Sequence, residues 1–302
     1  MTSTRKLWTL LIALLVVSFA VLLLVGRDIS FKMPPMPEQV VAADGQVIYT
    51  RADMQKGRQV WQSMGGMQLG SIWGHGGLVA PDWSADWLHR ESVTLLDSWS
   101  RRENGGRTYA QLPGDQQGLL QGRLRGMMRT NTYDPSTRTI TVPVERAQAM
   151  LAVSRHYERL FGNDPATALL RENYAMRNNT VPDPEHRRVL SAFFWWTAWA
   201  ATTERPGSSV TYTNNWPSEP LVDNRPPAST FIWSAFSVTF LLAGIALLGW
   251  HHAVTHGRKP ERHEVPKPTR YAASWSPRRW RRPRSISGSC SRCFWRRSSS
   301  GQ

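Results

Sequence analysis

Hydrophobic and polar positions divide the chain into two long apolar runs with a polar segment between them. Leu7–Gly26 contains 20 consecutive uncharged residues, and Ala228–Trp250 contains 23. At about 1.5 Å per helical residue, either run is long enough to cross roughly 30 Å of hydrocarbon. The pattern therefore predicts two transmembrane helices, over residues 7–26 and 228–250.

Basic residues lie at the outer end of each run and predict its orientation. They are Arg5 and Lys6 before the first run, and Arg258, Lys259 and Arg262 after the second. Since positive charge favours the cytoplasmic side, we predict a cytoplasmic N-terminus over 1–6, an external domain over 27–227 and a cytoplasmic tail over 251–302. A cleaved signal peptide is the alternative for the first run, but its apolar part would be too long and Gly26-Arg27-Asp28 is a poor cleavage site.

The segment between the spans has the pattern of a mainly helical domain with a minor β hairpin. β-branched residues on both sides of Asp44-Gly45 predict the hairpin, and the proline-rich stretch Phe31–Pro37 predicts an extended link to the membrane. Helical periodicity is predicted over 53–64, 85–101, 113–130, 143–161, 164–173 and 185–203, with a short strand over 137–142. Asp53 and Ser84 are the predicted caps of the first two helices, and the predicted core positions are Trp87, Leu88, Leu95 and Trp99.

The apolar stretch Leu190–Ala201 is only 12 residues long, too short to span a membrane. Its three tryptophans, Trp195, Trp196 and Trp199, are typical either of a helix at the membrane interface or of core packing. Both interpretations stay open at the level of sequence, with core packing favoured for at least one of the three.

Charge is concentrated near the C-terminus. The net charge is +15, and residues 269–302 contain nine arginines and no acidic residue, which leaves +15 − 9 = +6 for the rest. This Arg-, Ser-, Trp- and Pro-rich tail is interpreted as out of frame from about residue 269 and ended by a premature stop. The alternative is a basic arm for anionic lipid or nucleic acid, and we predict no nucleic-acid partner. The only cysteines, Cys290 and Cys293, lie in this tail without a following histidine, so they do not predict a heme site.

One glycine-rich segment carries the strongest motif. Gly57–Trp83 reads GRQVWQSMGGMQLGSIWGHGGLVAPDW and opens like the first helix of a c-type cytochrome. The positions of a C-x-x-C-H heme-attachment motif are occupied by Ser63, Met64, Gly65, Gly66 and Met67. An ordinary glycine-rich loop is the alternative.

Together with the continuation APDWSADWLHRE and with FFWWTAWAATTERPG and TYTNNWP at Phe193–Gly207 and Thr211–Pro217, this segment resembles the N-terminal region of the quinol-dependent nitric oxide reductases. The resemblance covers most of residues 1–256. It implies a heme-less cytochrome c-like domain on the periplasmic side of the bacterial inner membrane, placed ahead of a catalytic transmembrane portion. One departure is visible, since the family commonly reads G-H-G-A-Y where this chain has Gly74-His75-Gly76-Gly77-Leu78.

The resemblance also implies a function for the complete family protein. That protein takes electrons from quinol in a respiratory, denitrifying membrane and reduces nitric oxide to nitrous oxide at two b-type hemes and a non-heme iron, ligated mainly by transmembrane histidines. Here the first run has no histidine, and the second is followed only by His251 and His252. We therefore predict an N-terminal fragment that binds no heme or iron and is inactive alone, with membrane lipid and the missing catalytic portion as partners. The alternative is a two-span membrane protein whose periplasmic domain serves sensing, assembly or interaction.

Other chemistry-bearing residues receive structural interpretations. In related cytochrome c-dependent reductases the G-x-G-A-Y turn contacts a calcium ion. By resemblance, Gly76 is a weak candidate for a carbonyl contact, although Leu78 replaces the tyrosine. His75 is interpreted as a turn residue with one backbone hydrogen bond, and Met64 and Met67 as packing residues rather than thioether ligands. Glu204 and Arg205 are predicted to form a local ion pair. Cap and helix-surface positions are predicted for Asp82, Asp86, His89 and Glu91.

Overall fold

The structure, a computed structural model, describes residues 2–256. The chain divides into two compact units, Met1–Val238 and Thr239–Gln302. The predictions for the basic tail beyond residue 256, including the change of frame near residue 269 and the Cys290–Cys293 pair, lie outside the described residues.

The described residues are mostly helical, with one small sheet. The helices are α1 Thr2–Lys32, α2 Arg51–Ser63, α3 Trp83–Glu103, α4 Gly114–Arg129, α5 Val144–Leu160, α6 Ala168–Asn173, α7 Pro184–Thr202 and α8 Ala228–His256. The strands are β1 Gln39–Ala42, β2 Val47–Thr50, β3 Tyr133–Asp134 and β4 Thr139–Val142. Short 3₁₀ turns occupy Gly66–Leu69, Tyr109–Gln111, Pro165–Thr167 and Pro220–Val222. The predicted helices and strands are confirmed, with ends that differ by a few residues.

Helices α1 and α8 are the two elements that are long and apolar enough to cross a membrane within residues 2–256. The prediction of an extended link from Phe31 is wrong at its start, because α1 continues to Lys32. The Ser30 hydroxyl donates to the Gly26 carbonyl, and Lys32 forms an ion pair with Asp28 one turn earlier. The helix ends just before Pro34, because a residue that precedes proline disfavours helical dihedrals.

The sheet has the strand order β2-β1-β4-β3. Strands β1 and β2 form the predicted hairpin, with Val40 opposite Tyr49. The hairpin is extended by β4, which pairs parallel to β1 with Gln39 opposite Thr139. The strand predicted from local pattern is thus joined to the hairpin by about a hundred residues of intervening chain.

Two of the predicted helix caps are wrong by a few residues. The N-cap of α2 is Thr50, and Asp53 completes a reciprocal capping box by accepting from the Thr50 amide at 2.8 Å. The N-cap of α3 is Asp82, whose carboxylate accepts from the Ala85 amide at 3.0 Å. Ser84 instead accepts from the Trp73 amide at 3.2 Å, so it fastens a loop rather than a helix end.

The core lies among α2, α3, α5 and α7. All four predicted core positions on α3 are buried. On α7, Trp195 and Trp199 are buried at 0% and 1% exposure, which confirms core packing for two of the three tryptophans. Trp196 is only partly buried, and its indole donates to the Pro35 carbonyl at 3.0 Å. Leu190–Ala201 therefore packs inside the domain.

Candidate functional site

The loop that follows α2 contains every position of the missing heme-attachment motif. Ser63 is the last residue of α2 and its hydroxyl donates to the Val60 carbonyl at 2.8 Å, while Met64 caps the helix. Gly65 and Gly66 have positive φ angles of 120° and 53°, a conformation that strains residues with a Cβ atom. Met64 packs against the core, whereas the side chain of Met67 is 56% exposed.

A buried aromatic cluster fills the interior beneath this loop. At its centre, Trp83 stacks on Phe194 with ring centroids 5.4 Å apart and an interplanar angle of 14°. Its remaining ring neighbours are Phe161, Tyr157 and Tyr174. We call these five residues the Trp83 cluster. Trp83 is fully buried, so the loop covers packed side chains rather than a cavity.

The loop backbone rests directly on the Trp83 indole. The indole Nε1 donates to the Leu69 carbonyl at 2.9 Å. At the next residue, a Cβ atom added to Gly70 would lie 2.4 Å from the same nitrogen. A planar heme between loop and core would have to displace Trp83, and the described residues 2–256 contain no thiol to attach one. The residues present therefore do not fit a heme c.

The continuation of the loop, from Ser71 to Gly77, is organised by one carboxylate. Asp82 is 6% exposed, and its Oδ2 accepts from the Ser71 hydroxyl at 2.6 Å and from the Gly74 amide at 2.7 Å. The Ser71 oxygen in turn accepts from the Gly76 amide at 2.8 Å. Since Asp82 Oδ1 caps α3, both carboxylate oxygens are engaged. This confirms the cap interpretation of Asp82 and adds a second role in the turn.

Gly76, the weak calcium candidate, has structural reasons to be glycine. Its φ angle is +87°, and an added Cβ atom would lie 2.9 Å from the Ala80 carbonyl oxygen. Leu78, two residues later, is fully exposed and has no side-chain oxygen. The nearby Asp82 carboxylate is already engaged, so the turn offers no set of oxygen ligands of the kind that calcium requires. These residues do not fit a calcium ion.

His75 packs against a residue from a distant loop. Its ring lies edge-on to Trp216 at a centroid distance of 4.8 Å, and the Trp216 indole donates to the Gly74 carbonyl at 2.9 Å. The indole of Trp73 reaches in another direction and donates to the Thr197 carbonyl of α7 at 2.8 Å. The turn is thus fastened to both α7 and the loop that precedes α8, a contact that no local sequence signal indicated.

The predicted ion pair between Glu204 and Arg205 is wrong. Glu204 accepts from Arg129 Nε at 2.8 Å, and the nearly buried Arg129 also donates to the Ser209 carbonyl and to Asn224 Oδ1. Arg205 instead donates to the Tyr212 carbonyl and to Asn214 Oδ1. Neighbours in sequence alternate in direction along an extended backbone, which explains why the two side chains part.

Two of the acidic residues on α3 have buried partners. Asp86 accepts from the Tyr157 hydroxyl at 2.6 Å and from Arg90 at 2.8 Å. Burial, followed by the charge of the Asp86 carboxylate, raises the pKa of Tyr157 well above its ordinary value, so this hydroxyl stays a donor. The helix-surface prediction for Glu91 is wrong, since it is 1% exposed and paired with Arg146 of α5. His89 lies nearer the surface, with Nδ1 3.0 Å from Glu219 Oε2.

Within residues 2–256, no group of three or more His, Cys, Asp or Glu side chains lies close enough to hold a metal ion. His251 and His252 lie on the last turns of α8. The site is therefore a tightly braced loop over an aromatic interior, and what it can do chemically is limited to shape and contact.

Comparison with known families gives one match. Residues 37–218 match the family model of the cytochrome c-like domain of the nitric oxide reductase protein NorB. The matched residues make up more than half of the 302-residue chain and contain α2 to α7, the braced loop and Trp216. No curated protein matches the chain.

Proposed function

The chain belongs to the NorB family of nitric oxide reductase proteins through its cytochrome c-like domain, and we propose that the domain serves a reductase of the quinol-dependent type. In such an enzyme the electrons enter from membrane quinol, and no electron passes through a heme c. The domain then has a structural role beside the catalytic transmembrane portion of the reductase, where nitric oxide is reduced to nitrous oxide.

One observation supports this proposal above the others. The loop at Ser63–Met67 lacks the thiols and the histidine of a heme-attachment motif, and the Trp83 cluster fills the interior beneath it. A domain that had lost only its heme ligands would be left with an open cavity, which costs stability. Here the interior is packed, as expected for a domain whose fold no longer depends on a cofactor.

The proposed location is the bacterial inner membrane, with the domain on the periplasmic side. Two helices long and apolar enough to span a membrane flank the matched residues. The basic residues Arg5 and Lys6 precede the apolar part of α1 on the predicted cytoplasmic side. We also propose that the chain supplies no ligand to the b-type hemes or the non-heme iron of the reductase, so that it is not active by itself.

The full chain, expressed in a host that matures c-type cytochromes and purified in detergent, tests the proposal. We expect no Soret absorption, no pyridine hemochrome and no stoichiometric iron. In membranes that contain the reductase with this domain, reduced quinol should support nitric oxide consumption and reduced cytochrome c should not. A covalent heme on the chain, or activity driven by cytochrome c alone, would contradict the quinol-dependent type.

A further inference from the structure

An open cavity of about 710 Å³ lies between the 205–214 loop and the first turns of α8. Its lining combines one arginine with several hydroxyl and amide groups. The residues that matter here are Arg205, Ser208, Asn214, Thr230, Trp233 and Ser234. None of the described residues that line the cavity is acidic, so the charge of the cavity is positive.

Arg205 is held in place by neutral groups. Its Nη2 donates to the Tyr212 carbonyl at 2.9 Å and to Asn214 Oδ1 at 2.8 Å. Its Nε is buried without a hydrogen-bond partner, and the adjacent carboxylate of Glu204 is paired with Arg129 instead. The guanidinium is therefore fixed in orientation while its charge is not matched by a carboxylate among the described residues. Such a group favours an anion.

Ser208 adds a hydrogen-bond donor at the same cavity. Its Oγ accepts from the Val210 amide at 3.1 Å, which leaves the hydroxyl hydrogen for a further acceptor. Ser234, on the opposite wall, donates to the Thr230 carbonyl within α8. The donors aimed at a ligand thus come mainly from the loop, and the α8 wall supplies small side chains that leave space.

The cavity lies where a membrane-spanning helix begins. Trp233 is 72% exposed on the first turns of α8, and Phe231 and Phe236 beside it are also exposed. Tryptophan is enriched at the level of the lipid headgroups. A ligand in this cavity would have its anionic group next to Arg205 and its apolar part along α8.

We propose that this cavity binds the phosphodiester group of a membrane phospholipid. A phosphodiester carries a single negative charge and only acceptor oxygens, which matches one arginine, a serine donor and the absence of acidic groups among the described lining residues. The acyl chains then lie along the exposed apolar face of α8. Binding at this place fixes the 205–214 loop to the start of the second span.

The test uses the full chain, purified in detergent and freed of lipid, with short-chain phosphatidylglycerol as the probe and native mass spectrometry as the readout. Arg205→Gln removes the charge, and Ser208→Asp introduces a carboxylate while keeping an acceptor for the Val210 amide. We expect each variant to weaken binding at least about tenfold, as loss of a charge-assisted hydrogen bond or a new repulsion predicts. Ser218→Asp, at an exposed loop residue outside the cavity lining, carries the same charge change and should bind as the parent does.

Two further probes identify the source of the anion. Diacylglycerol, which lacks the phosphate, should not bind, and inorganic phosphate should bind much more weakly than the phospholipid. Equal binding of inorganic phosphate would replace the lipid by a free anion and overturn the proposal, as would parent-like binding by Ser208→Asp. Since Arg205 also braces its loop, Arg205→Gln is interpreted only if its thermal unfolding matches that of the parent, and Ser208→Asp decides otherwise.

Discussion

Glu91 of α3 and Arg146 of α5 form an ion pair inside the core, with Arg146 Nε donating to Glu91 Oε1 at 2.8 Å. Their side chains are only 1% and 3% exposed. The other carboxylate oxygen, Oε2, accepts from the Trp87 indole at 2.8 Å. The pair therefore fixes the relative position of two core helices that otherwise contact each other through apolar side chains.

Removing one partner of this pair should destabilise the domain strongly. Arg146→Met leaves the Glu91 carboxylate buried without its counter-charge, and the expected loss is about 3–5 kcal/mol in the free energy of unfolding. Chemical unfolding of the chain in detergent measures it. Arg102→Met, at an exposed pair with Glu103, is the control and should cost less than about 1 kcal/mol. Equal effects would show that burial does not decide the strength of the Glu91 pair.

Gly57 is required by the close approach of α2 to α7. A Cβ atom at this position would lie 2.0 Å from the Val189 carbonyl oxygen and 2.9 Å from Phe193 Cβ. Gly57→Ala should therefore separate the two helices and cost at least about 1–3 kcal/mol. Gly118→Ala in α4 is the matched control, since nothing lies within 4 Å of its added Cβ, and it should stabilise the domain by roughly 0.5–1 kcal/mol. Thermal unfolding that ranks the two variants the other way would contradict this packing.

His156 predicts a pH dependence of stability. Burial, followed by the nearby charge of Arg90, lowers the pKa of His156 from 6.5 to about 4. Between pH 6.5 and 4 the unfolded chain thus binds a proton at this residue that the folded chain does not, so folding stability falls as the pH falls. Unfolding midpoints measured across this window should decrease for the parent.

The His156→Gln variant isolates this contribution. It should remove part of the slope between pH 6.5 and 4, while leaving the loss of stability at lower pH that follows from carboxylates such as Asp53. Burial raises the pKa of Asp53, but the combined hydrogen bonds from Arg188 and Thr50 outweigh it and lower the pKa overall. Identical slopes for parent and variant would mean that His156 titrates normally in the folded chain.

Restoring the heme-attachment motif should not restore heme binding. The variant Ser63→Cys, Gly66→Cys, Met67→His recreates C-x-x-C-H, yet Cys at position 66 would have to adopt φ +53° and Trp83 occupies the interior. We expect no covalent heme in a maturation-competent host and a lower unfolding temperature. Adding Trp83→Ala tests the cause, since heme attachment that appears only then would assign the exclusion to the indole. Efficient attachment without that change would show that the cluster yields easily.

Local patterns in the sequence determined much of the secondary structure. The apolar runs at 7–26 and 228–250 predict helices because length and composition suffice, and Asp44-Gly45 predicts its hairpin because the turn residues select the turn. The helix positions followed from the spacing of apolar residues, which put Trp87, Leu88, Leu95 and Trp99 in the core. The motif positions Ser63–Met67 likewise needed no coordinates to be recognised as lacking thiols.

Tertiary structure decided everything that depends on which surfaces meet. Glu91 is polar on a helix and resembles a surface residue until α5 brings Arg146 against it. Glu204 is paired by Arg129, 75 residues away, rather than by its neighbour, and β4 joins β1 across a similar distance. Even the caps Thr50 and Asp82 required coordinates, because several nearby Ser, Thr and Asp residues compete for the same helix end. The physical reason is that a local pattern specifies the preference of each segment, whereas a partner is chosen by the packing of the whole chain.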